Sequence, residues 1–116
     1  MKKIFLLCSV LAMLSLFSSG AFALSFEAAM NFNVGRGPSS VVTGDFNGDG
    51  RIDLAVANEG SEDISILLGN GDAAFHTAGT YETGSDGATS IATGDFNGDG
   101  RTDLAVANFA LDVGVL

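Results

Sequence analysis

The chain has 116 residues, a single cysteine (Cys8), and a start, MKK, that leads into an almost unbroken apolar run from Ile4 to Phe17. Without its first 23 residues, 93 remain, carrying three arginines, no lysine and fourteen acids, for a formal charge of −11. Such a chain lacks the cationic surface that phosphate contacts need, which excludes nucleic acid and anionic lipid as partners. Having no thiol, it also excludes a disulfide framework, thiolate metal sites and thiol catalysis.

In chain order, residues 1–23 read as a secretory signal peptide. The two lysines, the apolar stretch and the small residues of SSGAFA supply its three parts, with cleavage after Ala23. The alternative, a membrane anchor, needs roughly 20 apolar residues to span a bilayer, and this run is shorter. A lipid-anchored cysteine is also excluded, because Cys8 follows Leu6 and Leu7, well before the cleavage point. The mature chain is therefore expected to be secreted, periplasmic or cell-surface, with no membrane insertion.

The rest of the chain is a repeat. GDFNGDGRIDLAVAN (Gly44–Asn58) returns as GDFNGDGRTDLAVAN (Gly94–Asn108), with only Ile52 changed to Thr102. The correspondence extends outward. Phe26 aligns with Phe75, Phe32 with Tyr81, Gly35 with Gly84, Val41 with Ile91, and DISIL (Asp63–Leu67) with DVGVL (Asp112–Leu116). The boundaries drawn from this are repeat 1 at 24–73 and repeat 2 at 74–116. Within each unit short apolar runs end in turn residues. Phe26–Phe32, Ser39–Thr43, Asp53–Ala57 and Ile64–Leu68 are expected as strands of the first. Phe75–Glu82, Thr89–Thr93, Asp103–Ala107 and Val113–Leu116 are expected as strands of the second. The alternation of Ile64, Ile66 and Leu68 predicts a half-buried strand, and Asn70-Gly71 a tight hairpin turn. Four strands per ~50 residues is the content of one propeller blade, so the expected fold is all-β: about two four-stranded antiparallel β-propeller blades. Because a repeat array needs about three units to bury a continuous core, the chain is expected to be an N-terminal fragment of a longer protein, the alternative being a short protein that oligomerises.

The copied loop carries the chemistry. Counted from Asp45, oxygen-bearing side chains fall at positions one (Asp45), three (Asn47), five (Asp49) and nine (Asp53), with the Arg51 carbonyl at seven. This is the ligand spacing of calcium loops, and Gly48 and Gly50 permit the curl that makes the oxygens converge. The second copy repeats it with Asp95, Asn97, Asp99, Arg101 and Asp103. Carboxylate and carbonyl oxygens suit Ca²⁺ over Zn²⁺ or Cu²⁺, and Mg²⁺ prefers fewer protein ligands. The competing reading is a turn sequence that needs no metal, since Asp, Asn and Gly favour turns by themselves. Val56 and Val106 stand at position twelve, where a helix–loop–helix site needs Glu, and apolar strand residues follow Asp53 and Asp103 directly. Dockerin, whose calcium loops run into helices, is disfavoured for the same reason.

The stretch GDFNGDGRxDLAVAN resembles the FG-GAP/VCBS-type repeat of integrin α-chain propellers and of many secreted bacterial proteins. The resemblance implies β-propeller blades with Ca²⁺ held in a turn between two strands. It departs at AVAN, where the family's Gly-Ala-Pro is absent, which places the sequence nearer the bacterial VCBS-like branch and weakens any inference to integrin-style ligand binding.

Other candidates carry less. His76, the only histidine, has no nucleophile or second ligand nearby in sequence and reads as a surface residue. Glu59, Glu62 and Asp63 could be taken for a glycosidase carboxylate pair, but NEGSED has the character of a solvated turn and is not copied. Phe46 and Phe96, inside the two loops, are expected to pack between strands or blades. The functional expectation is a non-enzymatic, calcium-stabilised module for binding or adhesion to an extracellular protein or glycan. The alternative is the non-catalytic propeller portion of a secreted hydrolase or polysaccharide lyase whose active site lies outside this chain.

Overall fold

The computed structural model describes residues 25, 28–84, 87–109 and 113–116. The chain divides into two compact units, Met1–Met30 and Asn31–Leu116. The expected signal peptide, and Phe26 of the first expected strand, lie outside the described residues. No described residue is helical.

The second unit is all-β. Strands β1 (Pro38–Gly44), β2 (Asp53–Asn58), β3 (Asp63–Gly69) and β4 (Phe75–Glu82) form an antiparallel meander in that order. Strands β5 (Ala88–Gly94), β6 (Asp103–Asn108) and β7 (Val113–Val115) form a second one. The centre of each meander is the copied DLAVAN. In β2, Ala55, Val56 and Ala57 are all buried, as expected of a central strand covered on both faces.

The two sheets pack face to face. Ala55, Ala57, Ile64 and Ile66 from the first meet Ala88, Ile91, Leu104 and Val106 from the second, with Val42, Phe46 and Leu68 at the margin. The alanines leave room for close approach, and the branched residues fill what remains. Each fully buried Ile or Val is worth roughly 1.5–3 kcal/mol relative to exposure. Ser39 ties the sheets together, its hydroxyl donating to the Ala88 carbonyl at 2.7 Å and the Ala57 carbonyl at 3.3 Å. Ser39 is also the extra residue of a bulge in β1, and Thr89 repeats it in β5, donating to the Ala107 carbonyl at 3.0 Å. The repeat thus copies an irregularity as well as a strand pattern.

Three expectations are corrected. Residues 28–32 are not in a strand, and β4, which aligns with Phe26–Phe32 in the repeat, pairs with β3. Sheet and sequence period are therefore out of phase: β4, the first strand of the second repeat, completes the sheet of the first. Asn70-Gly71 does not make a two-residue turn, because Gly69 pairs with Phe75 and leaves a five-residue loop closed by the Asn70 N–H on the Ala74 carbonyl at 3.1 Å. Strand β3 is not half-buried: Ser65 and Leu67 are as covered as Ile64 and Ile66. The alternation rule misses this because the Ser65 hydroxyl is satisfied internally, by the Gly35 N–H at 3.2 Å and Asn58 Nδ2 at 2.9 Å.

Candidate metal centre

The loop Asp45–Ile52 joins β1 to β2, and the loop Asp95–Thr102 joins β5 to β6. Two glycines in each take positive φ: Gly48 at 76° and Gly50 at 80°, Gly98 at 76° and Gly100 at 83°. Only glycine enters this region without a Cβ penalty, so the backbone folds over the first aspartate.

The side chains at positions one, three and five are gathered by one hydrogen-bond net. Asp45 Oδ1 accepts from the N–H groups of Gly48 at 2.7 Å and Asp49 at 3.1 Å, and Oδ2 from Gly50 at 2.8 Å. Asn47 Oδ1 accepts from the Asp49 N–H at 3.0 Å. Asp49 Oδ1 accepts from the Arg51 N–H at 2.9 Å, and Oδ2 from Asn47 Nδ2 at 3.2 Å. In the second loop Asp95 accepts from Gly98, Asp99 and Gly100 at 2.7, 3.0 and 2.8 Å. Asn97 and Asp99 repeat the remaining contacts there: Asp99 N–H to Asn97 Oδ1 at 2.9 Å, Arg101 N–H to Asp99 Oδ1 at 2.8 Å and Asn97 Nδ2 to Asp99 Oδ2 at 3.3 Å. These N–H dipoles favour the ionised carboxylate. At Asp45 the Gly50 N–H foremost, together with those of Gly48, Asp49 and Asn47, outweighs desolvation and holds the carboxyl below its ordinary value of 3.8.

The ninth-position aspartates face another way. Asp53 is fully buried, with Oδ2 accepting from the Phe46 N–H at 2.9 Å and Oδ1 from the Gly69 N–H at 2.9 Å. It clamps the loop entrance to the end of β3, where Gly69 is obligatory: a Cβ there would overlap the Ile52 carbonyl. Asp103 repeats the first bond, to the Phe96 N–H at 2.9 Å. Thus Asp45, Asn47 and Asp49 stand together, as do Asp95, Asn97 and Asp99, while Asp53 and Asp103 brace the loops from below. Arg51 and Arg101 contribute their N–H groups to the net. Among the described residues, no three acidic or histidine side chains converge into a ready-made metal site. The donor set nevertheless suits a hard cation. A carboxylate oxygen has two lone pairs, and Asp45 Oδ2, Asn47 Oδ1 and both oxygens of Asp49 each accept a single hydrogen bond in this net.

A family model described as an FG-GAP-like repeat matches residues 45–106, from the first loop aspartate through the second copy of the strand. The chain belongs to the FG-GAP-like repeat family. The two sheets are accordingly blades of the β-propeller type, one with four strands and one with three among the described residues. No curated protein and no solved structure matches the chain. FG-GAP repeats are typically non-catalytic structural modules of extracellular proteins, and no described helix is long and apolar enough to cross a membrane.

The sequence reading also missed a buried polar support at the far end of the copied strand. Asn58, the last letter of the copied stretch, is fully buried; its Nδ2 donates to Asp63 Oδ1 at 2.7 Å and to Ser65 Oγ at 2.9 Å, closing the β2–β3 hairpin. An asparagine ending an apolar strand was the available signal. His76 is exposed on β4, and Glu59 and Glu62 lie exposed in the β2–β3 turn.

Proposed function

We propose that the chain is an exported FG-GAP-like module that binds two Ca²⁺ ions, one per copied loop, in a structural role, and that its loop surface engages an extracellular protein or glycan. The observation that carries this reading is the identity of the two nets, in which three oxygen-bearing side chains are gathered over two positive-φ glycines with lone pairs to spare. A bound Ca²⁺ would neutralise most of the charge of the three carboxylates in each loop. Asp45, Asn47, Asp49 and the Arg51 carbonyl would hold the first ion, and Asp95, Asn97, Asp99 and the Arg101 carbonyl the second, with Asp53 and Asp103 holding the loop bases rather than the ions. Within the chain, the glycine N–H groups keep the first aspartate ionised and aimed across the loop, as a cation ligand requires. Asp53 fixes the loop base against β3. A cleft of about 470 Å³ between the two loops is lined by Asp45 and Asn47 on one side and Arg101 and Thr102 on the other, and offers a partner polar groups of both signs.

The test is thermal unfolding with and without chelator. EDTA lowers Tm, and Ca²⁺ restores it better than equimolar Mg²⁺, because a ligand that binds only the folded state stabilises it by mass action. An unchanged Tm across all three conditions contradicts the metal assignment.

A further inference from the structure

Asparagine is followed by glycine three times, at Asn47-Gly48, Asn70-Gly71 and Asn97-Gly98. Such a step can cyclise, because the glycine nitrogen reaches the asparagine carboxamide carbon with no Cβ in the way. All three asparagines are exposed. All three also hold the carboxamide in the same pose, with Oδ1 accepting from the N–H two residues on: Asp49 at 3.0 Å, Asp72 at 3.3 Å and Asp99 at 2.9 Å. Access of water and side-chain pose therefore do not separate them.

The attacking nitrogen does. The Gly48 N–H donates to Asp45 Oδ1 at 2.7 Å, and the Gly98 N–H to Asp95 Oδ1 at 2.7 Å. The leaving groups of these two steps are held as well. Asn47 Nδ2 donates to Asp49 Oδ2 at 3.2 Å, and Asn97 Nδ2 to Asp99 Oδ2 at 3.3 Å. At the middle step, neither the Gly71 N–H nor Asn70 Nδ2 has a hydrogen-bond partner among the described residues. The side chain beside Gly71 is that of Arg51: a Cβ on Gly71 would lie 3.8 Å from both its Cδ and its Nε. A guanidinium only donates, so it cannot occupy the Gly71 N–H.

We propose that Asn70 is a self-modifying site, which deamidates through a succinimide, and that the first aspartate of each copied loop, Asp45 or Asp95, blocks the same reaction at Asn47 or Asn97. At Asn70 the Gly71 nitrogen bonds to Cγ, and Nδ2 leaves as ammonia with the proton that the Gly71 nitrogen loses. Water then opens the ring at one of its two carbonyls, which leaves aspartate or isoaspartate at position 70. The net change is amide and water to carboxylate and ammonium, with no other reactant. It falls inside the five-residue loop, between the paired residues Gly69 and Phe75, so the sheet survives it. In the copied loops a charge-assisted bond must break before the nitrogen can attack, which slows the reaction by roughly tenfold or more. The same two carboxylates also cover the nitrogens that would attack Asp49 and Asp99 in the corresponding isomerisation, those of Gly50 and Gly100, at 2.8 Å each. One aspartate thus guards two labile steps in each loop.

The test is peptide mapping by mass spectrometry after the full chain is incubated in mildly alkaline buffer with EDTA, which removes any protection from a bound cation. Asn70 should deamidate roughly tenfold or more faster than Asn47 and Asn97. Asp45→Ala should raise the Asn47 rate by a similar factor and leave Asn97 as it was. Equal rates at the three asparagines, or no conversion at Asn70 while a synthetic peptide of residues 66–74 reacts, would overturn the proposal. So would an Asn47 rate unmoved by Asp45→Ala, or a rise shared equally by Asn97, which would mark general unfolding instead of one lost bond.

Discussion

The two copies of the repeat share fourteen of fifteen residues in their central stretch, and the loops they form are nearly superimposable in hydrogen bonding. The sheets they belong to are not alike in burial. Ile64 of the first is completely covered while its copy Val113 is mostly exposed, and Phe46 is tucked against a neighbour while Phe96 is open. Local sequence dictates the loop, which closes on its own backbone. Burial depends on which surface a neighbour covers, and identical letters do not encode that.

The largest expected contrast lies in the core. Ile64→Ala should cost about 2–5 kcal/mol in urea unfolding, and Val113→Ala well under about 1 kcal/mol measured at dilution. Equal costs would show that the two sheets are equally packed. Next comes Asp53→Ala, which strips two N–H groups, Phe46 and Gly69, of their acceptor and should cost about 2–3 kcal/mol. Asp49→Ala, at an exposed position, should cost about 1 kcal/mol or less without cation. If the two substitutions are equivalent, the brace role of Asp53 is wrong. Gly50→Ala and Gly100→Ala should each cost about 1–2 kcal/mol, and by similar amounts, since both force a Cβ into positive φ with nothing else in the way.

The smallest effect is electrostatic. Because N–H donors lower the Asp45 pKa in the folded state, their stabilisation is complete above the ordinary value of 3.8 and is lost as pH falls below it through the depressed value. The Gly48 and Gly50 amide resonances should report this titration with a midpoint below 3.8; a midpoint at or above it would contradict the net described for Asp45.

Much of this was legible beforehand, for identifiable reasons. Seven of the expected strands form within one or two residues of their predicted bounds, because short apolar runs between glycines leave few alternatives. The curl at Gly48 and Gly50 followed from the letters alone. The phase of the sheets did not, since a strand's partner is chosen by long-range pairing and Phe75–Glu82 reads equally well as a beginning or an end. The inward turn of Asp53 was also hidden. Ligand spacing in sequence treats position nine as one more oxygen, whereas the buried N–H groups of Phe46 and Gly69 both require an acceptor there.

The central claim is that the copied loop is a cation site twice over. Its most direct test is a Ca²⁺ titration of the full chain followed by NMR at the amides of Gly48 and Gly50 and of Gly98 and Gly100. Both pairs should shift and saturate with dissociation constants on the order of 10⁻⁴ to 10⁻³ M. Asp45→Ala should abolish the response of the first pair and leave the second intact. Amides that stay still to about 10 mM Ca²⁺, well beyond that range, would contradict the claim and leave the loops as turns held by their own hydrogen bonds.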